Sequence, residues 1–239
     1  MGKDMIKKID RVGLQKLSMV DFPGKTAAVL FLPGCNLRCP FCHNAGLVLE
    51  PEGEGLIGIE EAFSYLEERK GLLDGVCISG GEPLMNPLEE VMDILNRAGE
   101  LGYSVKLDTN GCFPDKLSEI LDSGVVDYVA MDIKNQPLKY PETVGIAGFD
   151  VRPVMRSAEL LQRSGIDHEF RTTVAHPFHE VSDFSIIGKW IKDAPAYYLQ
   201  RYNDSGNIIK RAGVRAFSDE EMNDALACAL INVPKTGLR

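Results

Sequence analysis

Six short apolar runs, each followed by a helical pattern, constrain the fold of this 239-residue chain more than any other feature. The runs are Ala27 to Leu32, Val76 to Ser79, Ser104 to Leu107, Val126 to Asp132, Glu169 to Val174 and Tyr197 to Arg201. Each ends in a polar or glycine-containing turn, as parallel strands covered by helices tend to. Helical patterns lie near Ile59 to Arg69, Asn86 to Gly102, Pro114 to Asp122, Pro153 to Ser164, Val181 to Asp193 and Ser218 to Leu230. In Asn86-Pro87-Leu88-Glu89, Asn86 is expected to cap the helix, Pro87 to open its first turn and Glu89 to complete a capping box. Leu88, Val91, Met92 and Leu95 then share one apolar face, and Gly102 closes the helix.

Strand-then-helix units in series predict a right-handed parallel α/β fold. A closed eight-unit barrel takes about 250 residues. The expected architecture is therefore a partial (β/α)6 TIM-like barrel with a parallel sheet, open on one side. One domain over residues 1–239 is expected: a lead-in at 1–25, a barrel core at 26–202, and a C-terminal extension with a helix at 203–239. No internal repeat, low-complexity tract or linker interrupts it.

The formal net charge is −9, and no Lys/Arg block is longer than a pair such as Lys7-Lys8. That balance argues against nucleic-acid or anionic-membrane partners, which need a basic face. No apolar run approaches the roughly 20 residues a membrane helix requires, and Met1 to Val12 is polar rather than signal-like. The expectation is a cytoplasmic protein, where thiols stay reduced and six cysteines suggest metal before disulfides.

Three of those cysteines stand close together in Gly34-Cys35-Asn36-Leu37-Arg38-Cys39-Pro40-Phe41-Cys42-His43-Asn44. A structural zinc site or iron–sulfur cluster usually takes four protein ligands, and no second cysteine pair completes this set. Three thiolates on a four-iron cluster would leave one iron open to a ligand that is not protein. Cys77, Cys112 and Cys228 are isolated and read as small buried hydrophobes.

The other polar clusters fall at strand ends, where this architecture puts an active site. Gly80-Gly81-Glu82-Pro83 follows the second strand, Asp108-Thr109-Asn110-Gly111 the third, Met131-Asp132-Ile133-Lys134 ends the fourth, and Arg171 to His179 covers the end of the fifth. Five tips pointing at one face are more informative than any one motif.

The Cys-x3-Cys-x2-Cys spacing, with an aromatic before the third cysteine, closely resembles the radical S-adenosylmethionine (SAM) superfamily. The resemblance implies one 4Fe-4S cluster held by Cys35, Cys39 and Cys42, with SAM on the open iron. It further implies that Phe41 faces the adenine and that the Gly80, Gly81, Glu82, Pro83 segment receives the SAM ammonium through its backbone. The third and fourth tips look like those of glycyl-radical-enzyme activases, in which Asp108, Thr109, Met131 and Asp132 would line a monovalent cation site and Lys134 would contact the SAM carboxylate. Oxygen ligands suit such a hard cation. His43 and Asn44 extend the run to Cys-His-Asn, frequent in these activases; a positioning role for His43 is expected rather than ligation. His168, His176 and His179 form no ligand pattern, while Arg171 and His176 either face SAM or pack in loops.

Leu17-Ser18-Met19-Val20-Asp21-Phe22-Pro23-Gly24-Lys25 resembles the lead-in of activating proteins of anaerobic ribonucleoside-triphosphate reductase, in a longer variety. No extra cysteine-rich insertion lies in Leu47 to Gly75. The resemblance implies an electron from flavodoxin or ferredoxin, reductive cleavage of SAM to a 5'-deoxyadenosyl radical, and hydrogen abstraction from a glycine of the partner reductase. No general base is required. Alternatives are a pyruvate formate-lyase-type activase, a radical SAM enzyme acting on a small molecule such as a 7-carboxy-7-deazaguanine synthase, and a noncatalytic iron–sulfur carrier.

Overall fold

The computed structural model describes residues 8–239 except 51, 54, 205–207 and 211–212. Residues 1–7 of the expected lead-in, with part of the Met1 to Val12 stretch, lie outside the described residues, as do those five positions of the expected C-terminal extension. In chain order the strands are β1 (Arg11–Ser18), β2 (Ala27–Leu32), β3 (Ile57–Gly58), β4 (Gly75–Gly80), β5 (Ser104–Thr109), β6 (Tyr128–Asp132), β7 (Asp167–His176), β8 (Tyr197–Arg201), β9 (Arg215–Ala216) and β10 (Thr236–Leu238). The α-helices are α1 (Ala45–Leu49), α2 (Ile59–Glu68), α3 (Leu88–Glu100), α4 (Pro114–Ser123), α5 (Tyr140–Thr143), α6 (Arg152–Arg163), α7 (Asp183–Trp190) and α8 (Asp219–Leu230).

The sheet runs β10-β8-β7-β6-β5-β4-β2-β1-β3. Every pairing from β2 through β4, β5, β6, β7 and β8 to β10 is parallel. The path ends in two edges, so the barrel stays open as expected. β2 and β5 are buried almost end to end because helices cover one face and the barrel interior the other. Leu30, Leu32, Ile78, Leu107, Val129 and Phe170 belong to one continuous core with the apolar faces of the helices.

The structure adds four strands to the six expected: β1, β10 and the two-residue β3 and β9. The lead-in forms β1, antiparallel to β2, and the extension forms β10, a seventh parallel strand reached through α8. β1 buries only Val12 and Ser18 fully, and β10 is three residues long, so neither leaves an apolar run to read. The expected cap of α3 is also corrected. The helix begins at Leu88 with Pro87 in the cap position and no side-chain cap. The side chain of Asn86 instead donates to the Pro83 carbonyl at 3.2 Å, because the preceding 3-10 turn at Pro83–Met85 has already claimed it. The full capping box occurs at Ser218 and Glu221, opening α8. Among the described residues no helix is long and apolar enough to cross a membrane.

The far end of the sheet is closed by charge. Glu169 is buried in β7 and receives both guanidinium arms of Arg239 at 2.8 and 2.9 Å, with the Tyr128 hydroxyl at 3.1 Å. Removing one partner of a buried pair strands the other charge. Arg239→Ala is expected to lower unfolding stability by about 2 kcal/mol, less than a fully buried pair because Arg239 stays partly exposed. An unchanged urea midpoint would show that β10 is held by its backbone alone.

Candidate active site

The strand tips converge on one cavity of about 350 Å³ at the C-terminal edge of the sheet. Its walls include Cys35, Cys39, Cys42, Phe41, Gly80, Gly81, Asp108, Thr109, Asp132 and Lys134. The expected site residues other than Glu82 and Met131 therefore line one space, and Met131 is fully buried in β6.

The cysteine loop leaves β2 and is pinned from three sides. The Gly34 amide donates to Leu47 (2.8 Å), the Arg38 amide to Val144 (2.9 Å), and the Asn44 side chain to the Gly80 carbonyl (2.9 Å). Within the loop, the Leu37 amide points at the Cys35 sulfur at 3.3 Å and the Cys42 amide donates to the Cys39 carbonyl at 3.0 Å. Burial pushes the Cys35 thiol up to about 11 and the Cys39 thiol up to about 12, and Lys134 pulls both partway back. Both thiols stay protonated at neutral pH unless a metal displaces the proton.

The Gly-Gly tip is built for the chain's own backbone. A Cβ on Gly80, at φ +128°, would lie 2.2 Å from the Leu32 carbonyl oxygen, and one on Gly81 would lie 2.0 Å from that of Gly34. The glycines thus let β4 close directly against the root of the cysteine loop. Glu82 turns away from the cavity. Its carboxylate accepts from the Leu84 amide (3.0 Å), the Thr109 hydroxyl (2.8 Å) and the Asn110 amide (2.5 Å), tying the second tip to the third. Its own amide donates to Gly34 at 2.8 Å. The Glu82 side chain is thus a buried brace between the second and third tips and does not line the cavity.

Asp108 and Asp132 are bridged by a guanidinium. Arg171 places Nε 2.9 Å from Asp132 Oδ1 and Nη2 3.3 Å from Asp108 Oδ2. Lys134 reaches the other oxygen of Asp132 at 2.8 Å, and the fully buried Lys106 pairs with Asp108. Burial alone would raise both carboxyls, but Lys134 and Arg171 hold Asp132, and Arg171 and Lys106 hold Asp108, below the ordinary range. Burial works against Lys134 as well; the Asp132 carboxylate nevertheless raises its pKa and keeps it charged.

Phe41 is buried against Phe178 at 5.2 Å, with His179 at its edge. His43 lines the cavity 5.5 Å from the Tyr202 ring, and burial together with Lys134 depresses its pKa, favouring neutral imidazole. The remaining histidines lie elsewhere. His176 stacks on Phe217 and contacts Glu221 at 3.0 Å, His179 is held by the Lys134 carbonyl at 2.8 Å, and His168 lies at the opposite end of β7.

Residues 29–190 match the sequence profile of the Radical SAM superfamily. The chain belongs to the radical SAM superfamily. Over 193 residues it is 35% identical to the Methanocaldococcus jannaschii protein named "Putative glycyl-radical enzyme activating enzyme MJ1227", covering 80% of this chain and 78% of that one. It is 36% identical over 126 residues to a Clostridium pasteurianum pyruvate formate-lyase-activating enzyme, covering 51% of each chain. A 7-carboxy-7-deazaguanine synthase of Methanopyrus kandleri is 29% identical over 130 residues, 47% of this chain and 51% of the relative. The chain thus spans about half the length of those two relatives. Among solved structures, Streptococcus suis SuiB bound to S-adenosylmethionine superposes with a TM-score of 0.65 at 13% identity, over 88% of this chain and 51% of that one, a likeness of fold.

Membership in the radical SAM superfamily implies a 4Fe-4S cluster and SAM, and the donor set fits. Three cysteines border one cavity, while among the described residues no three His, Cys, Asp or Glu side chains converge as a single metal ion would require. Three thiols on one cavity suit three corners of such a cluster, with the fourth iron left to a ligand that is not protein. Sequence reasoning placed no role on Lys106, Ser79 or Asn110, although Lys106 carried a legible signal as a lone charge between Val105 and Leu107 in an apolar strand. Asn110 donates to Asn36 at 2.9 Å and lies 3.9 Å from the Cys35 sulfur, fastening the third tip to the cysteine loop.

Proposed function

We propose that this protein is a glycyl-radical-enzyme activase whose target is an anaerobic ribonucleoside-triphosphate reductase. The observation that carries the activase reading is the relationship to the M. jannaschii protein, which runs through most of both chains rather than through the cysteine loop alone. The lead-in Leu17 to Lys25 favours the reductase as target.

Cys35, Cys39 and Cys42 hold the cluster in this reading. Lys134 meets the SAM carboxylate, Phe41 lies toward the adenine, and Gly80, Gly81, Asp108, Thr109 and Asp132 border the methionyl end. When bound, cluster and SAM supply reductive cleavage of a sulfonium bond and the radical that abstracts hydrogen from glycine, the electron coming from a flavodoxin or ferredoxin. The chain's own work is to ligate, orient and exclude water. A monovalent cation has no clear seat among side chains already paired.

The end of β1 and the turn after it expose Leu17, Met19 (77%) and Val20 (78%), but Ser18 pairs with Ala27 at the start of β2, so this apolar patch lies at the end of the sheet opposite the cysteine loop.

Anaerobic incubation of the reconstituted protein with SAM, a strong reductant and the anaerobic reductase from the same genome is expected to give a glycyl-radical electron paramagnetic resonance signal. A signal with pyruvate formate-lyase instead would reassign the target. SAM turnover without any glycyl radical would favour small-molecule chemistry of the kind named for the deazaguanine synthase relative.

A further inference from the structure

The side chains that resemble a cation site are already saturated by the chain's own cations. Cys77 and Ser79 of β4, Lys106 and Asp108 of β5, Asp132 of β6 and Arg171 of β7 form one cluster inside the barrel. The register sets Cys77 beside Lys106 and Asp132 beside Arg171. Each carboxylate oxygen there has a partner. Asp108 Oδ1 takes the Lys106 ammonium, Asp108 Oδ2 takes the Ser79 hydroxyl (3.0 Å) and Arg171 Nη2 (3.3 Å), Asp132 Oδ1 takes Arg171 Nε (2.9 Å), and Asp132 Oδ2 takes Lys134 Nζ (2.8 Å). Three cations face two carboxylates, so a dissociable cation would enter a set that is already net positive.

Lys106 is the member without an evident structural purpose. It is fully buried, and among the described residues its hydrogen-bonding contacts are Asp108 and the Cys77 sulfur at 3.7 Å. An apolar residue would fill the same place without an ammonium to desolvate, and a buried ion pair is poor evidence of added stability. What Lys106 does supply is a fixed positive charge at the back of Asp108, whose front lines the cofactor cavity.

We infer that the Lys106 ammonium is a tethered substitute for a monovalent cation, so that this protein binds SAM without potassium or sodium, and that removing Lys106 opens a monovalent-cation site at Asp108. The consequence for SAM rests on the proposed function above; the cation binding itself does not.

The full-length chain would be titrated with thallium(I), a potassium-sized probe, and followed by thallium-205 NMR. Its thermal unfolding would be compared in potassium, sodium and tetramethylammonium chloride at equal ionic strength. The wild-type chain is expected to show no saturable thallium binding and the same unfolding midpoint in all three salts. After reconstitution, its SAM dissociation constant should likewise be unchanged. Lys106→Ala is expected to bind thallium saturably and to gain about tenfold in SAM affinity when potassium replaces tetramethylammonium. Lys106→Arg, which keeps the charge, should remain indifferent to the salt. Saturable thallium binding by the wild type, or a folded Lys106→Ala that binds none, overturns the inference. Should Lys106→Ala not fold, the wild-type titration still decides. A protein indifferent to salt that fails to make a glycyl radical would sink the activase reading alone.

Discussion

Cys39→Ala is expected to abolish cluster assembly and SAM cleavage together. Cys39 is the most deeply enclosed of the three sulfurs, and its loss leaves two thiols on a loop whose other anchors persist. Anaerobic reconstitution should then give well under one iron per chain in place of about four. No 5'-deoxyadenosine should form with a strong reductant. Cys112→Ala is the informative control. Cys112 is close enough to Cys35 to feel it electrostatically, yet it borders a different hollow, between α4 and α6. Cys112, expected from its isolation to be buried, is only half-buried, as is Cys228, and in Cys112→Ala iron content and cleavage survive at a cost of about 1 kcal/mol in stability. Retained turnover in Cys39→Ala, or its loss in Cys112→Ala, would overturn the ligand set.

The order of the strands was legible because the barrel is built from parallel units buried on both faces, each of which must be an apolar run. Val76 to Ser79 announces itself in that way. β1 does not, since a strand flanked on its outer side by only the two-residue β3, and turning Arg11, Gln15 and Lys16 to solvent, carries no such run. The site was legible at the level of tips, because the core has no use for a polar cluster directly after an apolar strand. The wiring between tips was not. Glu82 sits in a motif whose glycines suggest a ligand, but a sequence cannot tell a Cβ excluded by cofactor from one excluded by the Leu32 and Gly34 carbonyls. Arg171 was visible as a polar residue at a strand end. That it bridges Asp108 and Asp132 depends on pairing β6 with β7, a non-local register that one-dimensional pattern does not encode.

The brace at Glu82 carries the second large effect. Glu82→Ala removes the acceptor for three buried donors, the Leu84 and Asn110 amides and the Thr109 hydroxyl. Unsatisfied buried donors cost on the order of 1–3 kcal/mol each, and the shared cavity lets them relax only partly, so a loss of about 3 kcal/mol or more is expected. Its sign with pH is distinctive. Burial, resisted by those three donors, pushes the Glu82 carboxyl up to about 7 from its ordinary value. A folded-state pKa above the unfolded one means that the folded chain holds the extra proton in the window between them. Stability from this group is therefore full below the unfolded pKa near 4.5 and is lost as pH rises through about 7. Glu82→Gln, which cannot ionise, should remove that decline while costing stability of its own, because its amide nitrogen faces donors. Urea unfolding of wild type and Glu82→Gln across pH 5 to 8 reads the difference directly. Parallel profiles would show that Glu82 is ionised throughout, held so by the hydrogen bonds that join the Gly-Gly tip to the Asp-Thr-Asn tip beneath the cofactor's place.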